Sequence, residues 1–126
     1  MPIIINEKEN VITIHTKNST YQMKADAQGM LFHTYYGSRI DETDMSYRIC
    51  SQDRGFSGNP YAMGVVDRAY STDLYPQEYS CFGTGDFRIS GLHVRNQDGS
   101  RGCELRFVKA TVEDGKYGLE GLPAVY

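Results

Sequence analysis

Short runs of alternating polar and apolar residues, cut by turn-forming clusters, restrict the fold of this chain more than any other feature. Alternation at period two is the pattern of a strand with one wet face. Val11-Ile12-Thr13-Ile14-His15 is short and β-branched, Thr20-Tyr21-Gln22-Met23-Lys24 alternates, and Met30-Leu31-Phe32-His33-Thr34-Tyr35-Tyr36 runs up to Gly37. Lys17-Asn18-Ser19-Thr20 and Asp26-Ala27-Gln28-Gly29 separate them as turns. Three strands on such short connections predict an antiparallel meander. No long stretch places apolar residues at i, i+3, i+4 and i+7 between two caps, so helix is nearly excluded.

Regularity returns beyond residue 77. Asp86 to Ile89 and Leu92 to Asn96 read as strands. Gln97-Asp98-Gly99-Ser100 carries the Asp-Gly signal of a type I′ hairpin. Glu104-Leu105-Arg106-Phe107-Val108-Lys109 alternates strictly, and Glu113-Asp114-Gly115-Lys116 is another hairpin-type turn. The apolar Leu122-Pro123-Ala124-Val125-Tyr126 reads as a last strand. The class predicted is all-β, with many short antiparallel strands in a sandwich of two packed sheets and little or no helix.

Between these halves, residues 38–77 differ. Charged and turn-forming residues dominate, and only Tyr47-Arg48-Ile49-Cys50 and Gly64-Val65-Val66 resemble strand cores. Long segments of weak pattern in compact domains are usually functional or mobile. Asp53 and Arg54, with Phe56, Asn59 and Tyr61 close by, offer the stacking and bidentate hydrogen bonding that sugars need. A solvated loop is the competing reading.

Composition narrows the function classes. The 126 residues fit one domain. A net charge of −3 argues against nucleic acid, which wants a clustered basic face. No apolar run approaches the roughly 18 residues of a membrane span, and Ile3 to Ile5 is far too short for a secretory signal. The expected location is therefore cytoplasmic. Cys50, Cys81 and Cys103 are odd in number and widely spaced, which predicts reduced thiols and no zinc site. His15, His33 and His93 lack metal-ligand spacing and read as structural. Gly83-Thr84-Gly85 lacks the rest of a phosphate loop, so neither a metal nor a cofactor is expected. Asp53, Asp67, Asp73, Glu78 and Asp86 are candidates by type for paired-carboxylate chemistry. Asp86 would share a strand face with Arg88, which points to an ion pair.

Several ordered segments carry a resemblance. Asp53-Arg54-Gly55-Phe56-Ser57-Gly58-Asn59-Pro60 is similar to the DRxFSxNP loop of family 36 α-galactosidases. Gln77-Glu78-Tyr79, followed by Gly83-Thr84-Gly85-Asp86-Phe87-Arg88, resembles that family's QEYP and GDFR stretch. Tyr35-Tyr36-Gly37, Asp98-Gly99-Ser100 and Gly121-Leu122-Pro123-Ala124 continue the series along nearly the whole chain. Ser80 and Gly58 depart from it, each standing where the family commonly has proline.

The resemblance implies that residues 1–126 are an N-terminal β-supersandwich domain of a longer chain. A catalytic (β/α)₈ barrel and a C-terminal domain would follow. It implies a parent enzyme, a retaining α-galactosidase acting on melibiose- and raffinose-type sugars. Its catalytic aspartates would lie in the barrel, so this segment alone would be no enzyme. It further implies a homo-oligomer, a tetramer, in which the positions matching Asp53 and Arg54 reach a neighbouring subunit's substrate. The alternative is a stand-alone carbohydrate-binding β-sandwich, for which 10 Tyr and 5 Phe could supply a platform.

Overall fold

The computed structural model describes residues 2–53, 67–115, 118 and 120–123. Four strands, β1 (Ile3–Asn6), β2 (Val11–His15), β3 (Ser19–Ala25) and β4 (Leu31–Ser38), form one antiparallel sheet in sequence order. The expected meander is therefore present, and β1 extends it by pairing Ile5 with Ile12 and Ile3 with Ile14. Ile3 to Ile5 had no strand reading from sequence, because a run that short lacks visible alternation. Helix is confined to a 3₁₀ turn at Ser46–Arg48, where the sequence pattern around Tyr47 resembled a strand. The chain is all-β in class.

Local chemistry fixes each turn. The Thr16 hydroxyl accepts the N–H groups of Asn18 (3.2 Å) and Ser19 (2.9 Å), which closes the β2–β3 connection. Asp26 Oδ1 accepts the N–H groups of Gln28 (2.9 Å) and Met30 (2.8 Å) in an Asx turn. Gly29 completes that turn at φ +77°, and a Cβ there would lie 3.3 Å from the Arg106 Cβ. The positive φ favours glycine, and the tight approach to Arg106 adds to that preference.

Register decides what lies inside. Gln22 pairs with Tyr35 and Met23 with His33, so Thr34 is the extra residue of a β-bulge. Pleating places Val11, Thr13, His15, Thr20, Gln22, Phe32 and Thr34 on one face. Residues 40–49 and 70–77 cover that face. Toward one end the cover is apolar, with Met30, Phe32, Tyr70 and Tyr75 packed together against Ile49 and Leu74. Phe32 and Tyr70 both meet Tyr75 edge-on, with ring centroids 5.0 and 5.1 Å away. Elsewhere the cover is polar, and it centres on Gln22.

The later half departs from the expected strands. Residues 86–89, 92–96 and 104–109 form no ladder among the described residues, and Leu92 makes only an isolated bridge to Cys81. Cys103 N–H donates to the Phe82 carbonyl (3.0 Å), and Phe107 N–H donates to Gly29 (2.7 Å). Alternation states which side chains share a face but supplies no partner strand. The turn at 96–100 does form, though not as type I′. Gly99 N–H bonds Asn96 O (2.9 Å), Asn96 N–H bonds Ser100 O (2.9 Å), and only Gly99 has positive φ. That is the three-residue hairpin loop, a type I turn ending in a left-handed glycine. The strand reading of Gly64 to Val66 falls outside the described residues, as do Ala124 to Tyr126 of the proposed last strand.

Candidate functional site

The irregular segment that follows β4 carries the candidate residues, and its described flanks are anchored by buried polar chemistry. On the near flank, the fully buried Gln22 amide reaches across the sheet. Its Nε2 donates to Thr13 Oγ1 and to the Thr43 carbonyl, both at 3.0 Å. Its Oε1 accepts from Thr34 Oγ1 (3.2 Å) and from Met45 N–H (2.8 Å). A primary amide offers two donors and two acceptor sites, so Gln22 is saturated. Beside it, Lys24 Nζ donates to Asp44 Oδ2 at 2.6 Å and to Ser46 Oγ at 3.1 Å. Burial raises the Asp44 carboxyl, but Lys24 and the N–H and hydroxyl of Ser46 outweigh it and hold the group below its ordinary value.

The far flank is clamped from the stretch 77–88. Arg88 forks onto Asp86, with Nε to Oδ1 at 2.9 Å and Nη2 to Oδ2 at 2.8 Å. Nη2 also donates to the carbonyls of Thr72 (3.0 Å) and Tyr75 (2.7 Å). Gln77 Nε2 bonds the same Thr72 carbonyl and Asp86 Oδ2. Burial raises the Asp86 carboxyl, yet Arg88, through its side chain, N–H and charge, together with Gln77, holds it below its ordinary value. Thr72 Oγ1 donates to the Thr84 carbonyl at 2.9 Å, which joins the glycine turn to this clamp. The ion pair read from sequence for Asp86 and Arg88 is present. Its grip on the 71–77 turn had no sequence signal, because main-chain carbonyl partners leave none.

A second tether joins the far flank to the β3–β4 turn. Tyr70 Oη donates to Asp26 Oδ2 at 2.6 Å, and burial, followed by this bond, raises the Tyr70 phenol. Asp67 Oδ1 accepts Ala69 N–H at 2.9 Å. Between the two flanks stands Asp53, exposed, with Oδ2 3.4 Å from Arg68 Nε. Arg54 lies outside the described residues, as do Phe56, Asn59 and Tyr61.

The remaining acidic candidates are engaged locally. Glu78 Oε1 accepts from Tyr21 Oη at 2.5 Å and lies 3.4 Å from His33 Nδ1. Asp73 accepts from the Ser71 hydroxyl. Of the histidines, His15 is buried with Nδ1 2.9 Å from Thr20 Oγ1. His93 lines an open hollow of about 680 Å³ together with Phe82, Phe87 and Ile89. Among the described residues no His, Cys, Asp and Glu group could hold a metal ion. No described helix is long and apolar enough to cross a membrane.

The described residues thus form an all-β module with one ordered sheet and a clamped irregular flank. Comparison with known proteins assigns it further. The family model described as the glycosyl hydrolase family 36 N-terminal domain matches residues 29–126, and the chain belongs to that family. The bifunctional alpha-galactosidase/sucrose kinase AgaSK of Mediterraneibacter gnavus is 47% identical over 126 residues, covering 100% of this chain and 13% of that protein. The solved galactosidase domain of AgaSK superposes with a TM-score of 0.87 at 46% identity, over 99% of this chain and 17% of its own. An alpha-galactosidase of this family, AgaA of Geobacillus stearothermophilus, solved in complex with raffinose, gives a TM-score of 0.76 at 32% identity. That match covers 92% of this chain and 16% of the other. The chain thus spans about a sixth or less of the relatives it matches.

Proposed function

We propose that this chain serves as the non-catalytic N-terminal domain of a retaining α-galactosidase that removes terminal α-galactosyl residues from raffinose-type sugars. The supporting observation is the match over essentially the whole chain to proteins named α-galactosidases, of which it spans only 13–17%. On this reading residues 1–126 precede a catalytic barrel and a C-terminal domain, in a cytoplasmic homo-oligomer. The domain assists assembly and offers Asp53 and Arg54 to a neighbouring subunit's substrate. The exposure of Asp53 and the anchoring of both flanks of its segment support that role, since a contact residue must be accessible on a fixed base.

Two assays test the reading. The 126-residue chain, purified free of host enzyme, should release no nitrophenol from a nitrophenyl α-galactoside, whereas the full-length protein should. Turnover by the short chain at the parent's level would place the chemistry within these residues. In the full-length protein, Asp53→Ala should lower kcat/KM about tenfold, the scale of one charged hydrogen bond of about 1.5 kcal/mol. The same change should leave the short chain's stability nearly unchanged. An unaltered kcat/KM, or a short chain that unfolds, would give Asp53 a structural role instead.

A further inference from the structure

The bulge at Thr34 rearranges the outer face of the sheet. In a regular strand His33 and Tyr36 would point to opposite faces, because successive side chains alternate. The extra residue brings both to the face that carries Tyr21. The Tyr21 ring centroid lies 5.1 Å from that of His33 and 6.0 Å from that of Tyr36. Bulges are common next to active sites, where they re-aim a side chain. Glu78 braces the row, since Oε1 accepts from Tyr21 Oη at 2.5 Å and lies 3.4 Å from His33 Nδ1. With Nδ1 turned to Glu78, Nε2 is the remaining polar atom of the imidazole. A hollow of about 220 Å³ opens against His33 and Tyr36, and Arg48, Ile49 and Pro76 also line it. Tyr36 is 70% exposed. The Arg48 guanidinium has no hydrogen bond or ion pair among the described residues.

We propose that this hollow binds one neutral sugar ring, a pyranoside, at a site built from residues other than Asp53 and Arg54. An exposed aromatic ring fixed on a sheet takes the C–H face of a sugar, and Tyr36 is such a ring. The Arg48 fork and the imidazole supply donors for the sugar's hydroxyl oxygens. Arg48 alone would also suit an anion. The Glu78 carboxylate beside His33 sets a negative charge against one, which leaves the uncharged polyol favoured. The volume lies below the roughly 300–1,000 Å³ of drug-sized pockets, so it suits a single ring rather than a chain of them.

The site follows from the bulge, the braced row and the hollow. Only the choice of a galactoside as first probe rests on the function proposed above.

The test is titration of the whole chain with methyl α-galactopyranoside, followed by NMR of the His33 imidazole and the Tyr36 ring. Both should shift and saturate, with a Kd on the order of 1 mM, the scale of a small ligand with few contacts. Tyr36→Ala and Arg48→Ala should each raise that Kd about tenfold, or abolish saturation. Tyr36→Phe keeps the ring and should change it by less than about twofold. Both side chains are exposed, so the two truncations leave the fold intact. Saturation by methyl α-glucopyranoside in place of the galactoside would support the site and count against a galactosidase parent. The readout involves no turnover, so a failed titration leaves the proposed function standing. No saturable shift with either sugar would overturn the proposal. So would inorganic phosphate that moves the same resonances at lower concentration, or sugar binding indifferent to both alanine variants.

Discussion

Two buried side chains, Gln22 and Asp86, hold more of this molecule than their residue types announce. Gln22 lies in an alternating strand, and that pattern places it on a definite face. The same pattern gives an amide no reason to be inside, and the Thr43 and Met45 main-chain partners come from an irregular segment that periodicity cannot align. Gln22→Ala should cost about 2–4 kcal/mol, because it leaves buried donors and acceptors unpaired. Urea unfolding should show a midpoint lower by roughly 1–2 M with an unchanged slope. A shift below a few tenths of a molar would mean that water replaces the amide without penalty. For Asp86 the sign of the pH effect follows from its lowered carboxyl. Its contribution is complete above the unfolded value of about 3.9 and is lost as pH falls through the lower folded value. Wild-type stability should thus be flat in Asp86's term from pH 7 to about 5 and fall below pH 4. Asp86→Asn should be weaker at neutral pH and show a shallower acid limb. Asp44, lowered in the same way, keeps that limb from vanishing.

At the scale of elements, β2, β3 and β4 were legible because each is a hairpin neighbour of the next, so local alternation and turn chemistry determine the pairing. The later segments were misread as ladders for the complementary reason: 104–109 has the right alternation and no described strand beside it. The motif Gly83 to Arg88 was legible as a unit, and the ion pair within it followed from spacing. Its function as a clamp did not, since Arg88 meets Thr72 and Tyr75 through their main-chain carbonyls. Arg88→Lys tests the clamp. A lysine keeps the charge beside Asp86 but cannot hold a bidentate fork and two carbonyls together. Because Arg88 is partly exposed, the loss should be about 1–3 kcal/mol rather than the larger cost of stranding a fully buried charge. Hydrogen exchange should quicken at Leu74 and Gln77, whose N–H groups lie in the clamped turn. Unchanged protection there would show that Gln77 alone holds the turn.

On the scale of the whole molecule, the described residues leave several large apolar side chains in water. Much of the described apolar surface lies in the segments without ladders: Phe87 is 82% exposed, Ile89 93% and Val108 87%. Exposure of that kind favours association. The isolated chain should therefore self-associate, and light scattering over a concentration series should return a mass that rises above the monomer's. Ile89→Ser with Val108→Ser should lower that rise without lowering the urea midpoint, because neither side chain is packed in the described core. A strict monomer at every concentration would mean that these residues find cover within one chain. Association that persists in the double variant would move the sticky surface to the half-exposed sheet face bearing Ile3, Ile14 and Tyr36.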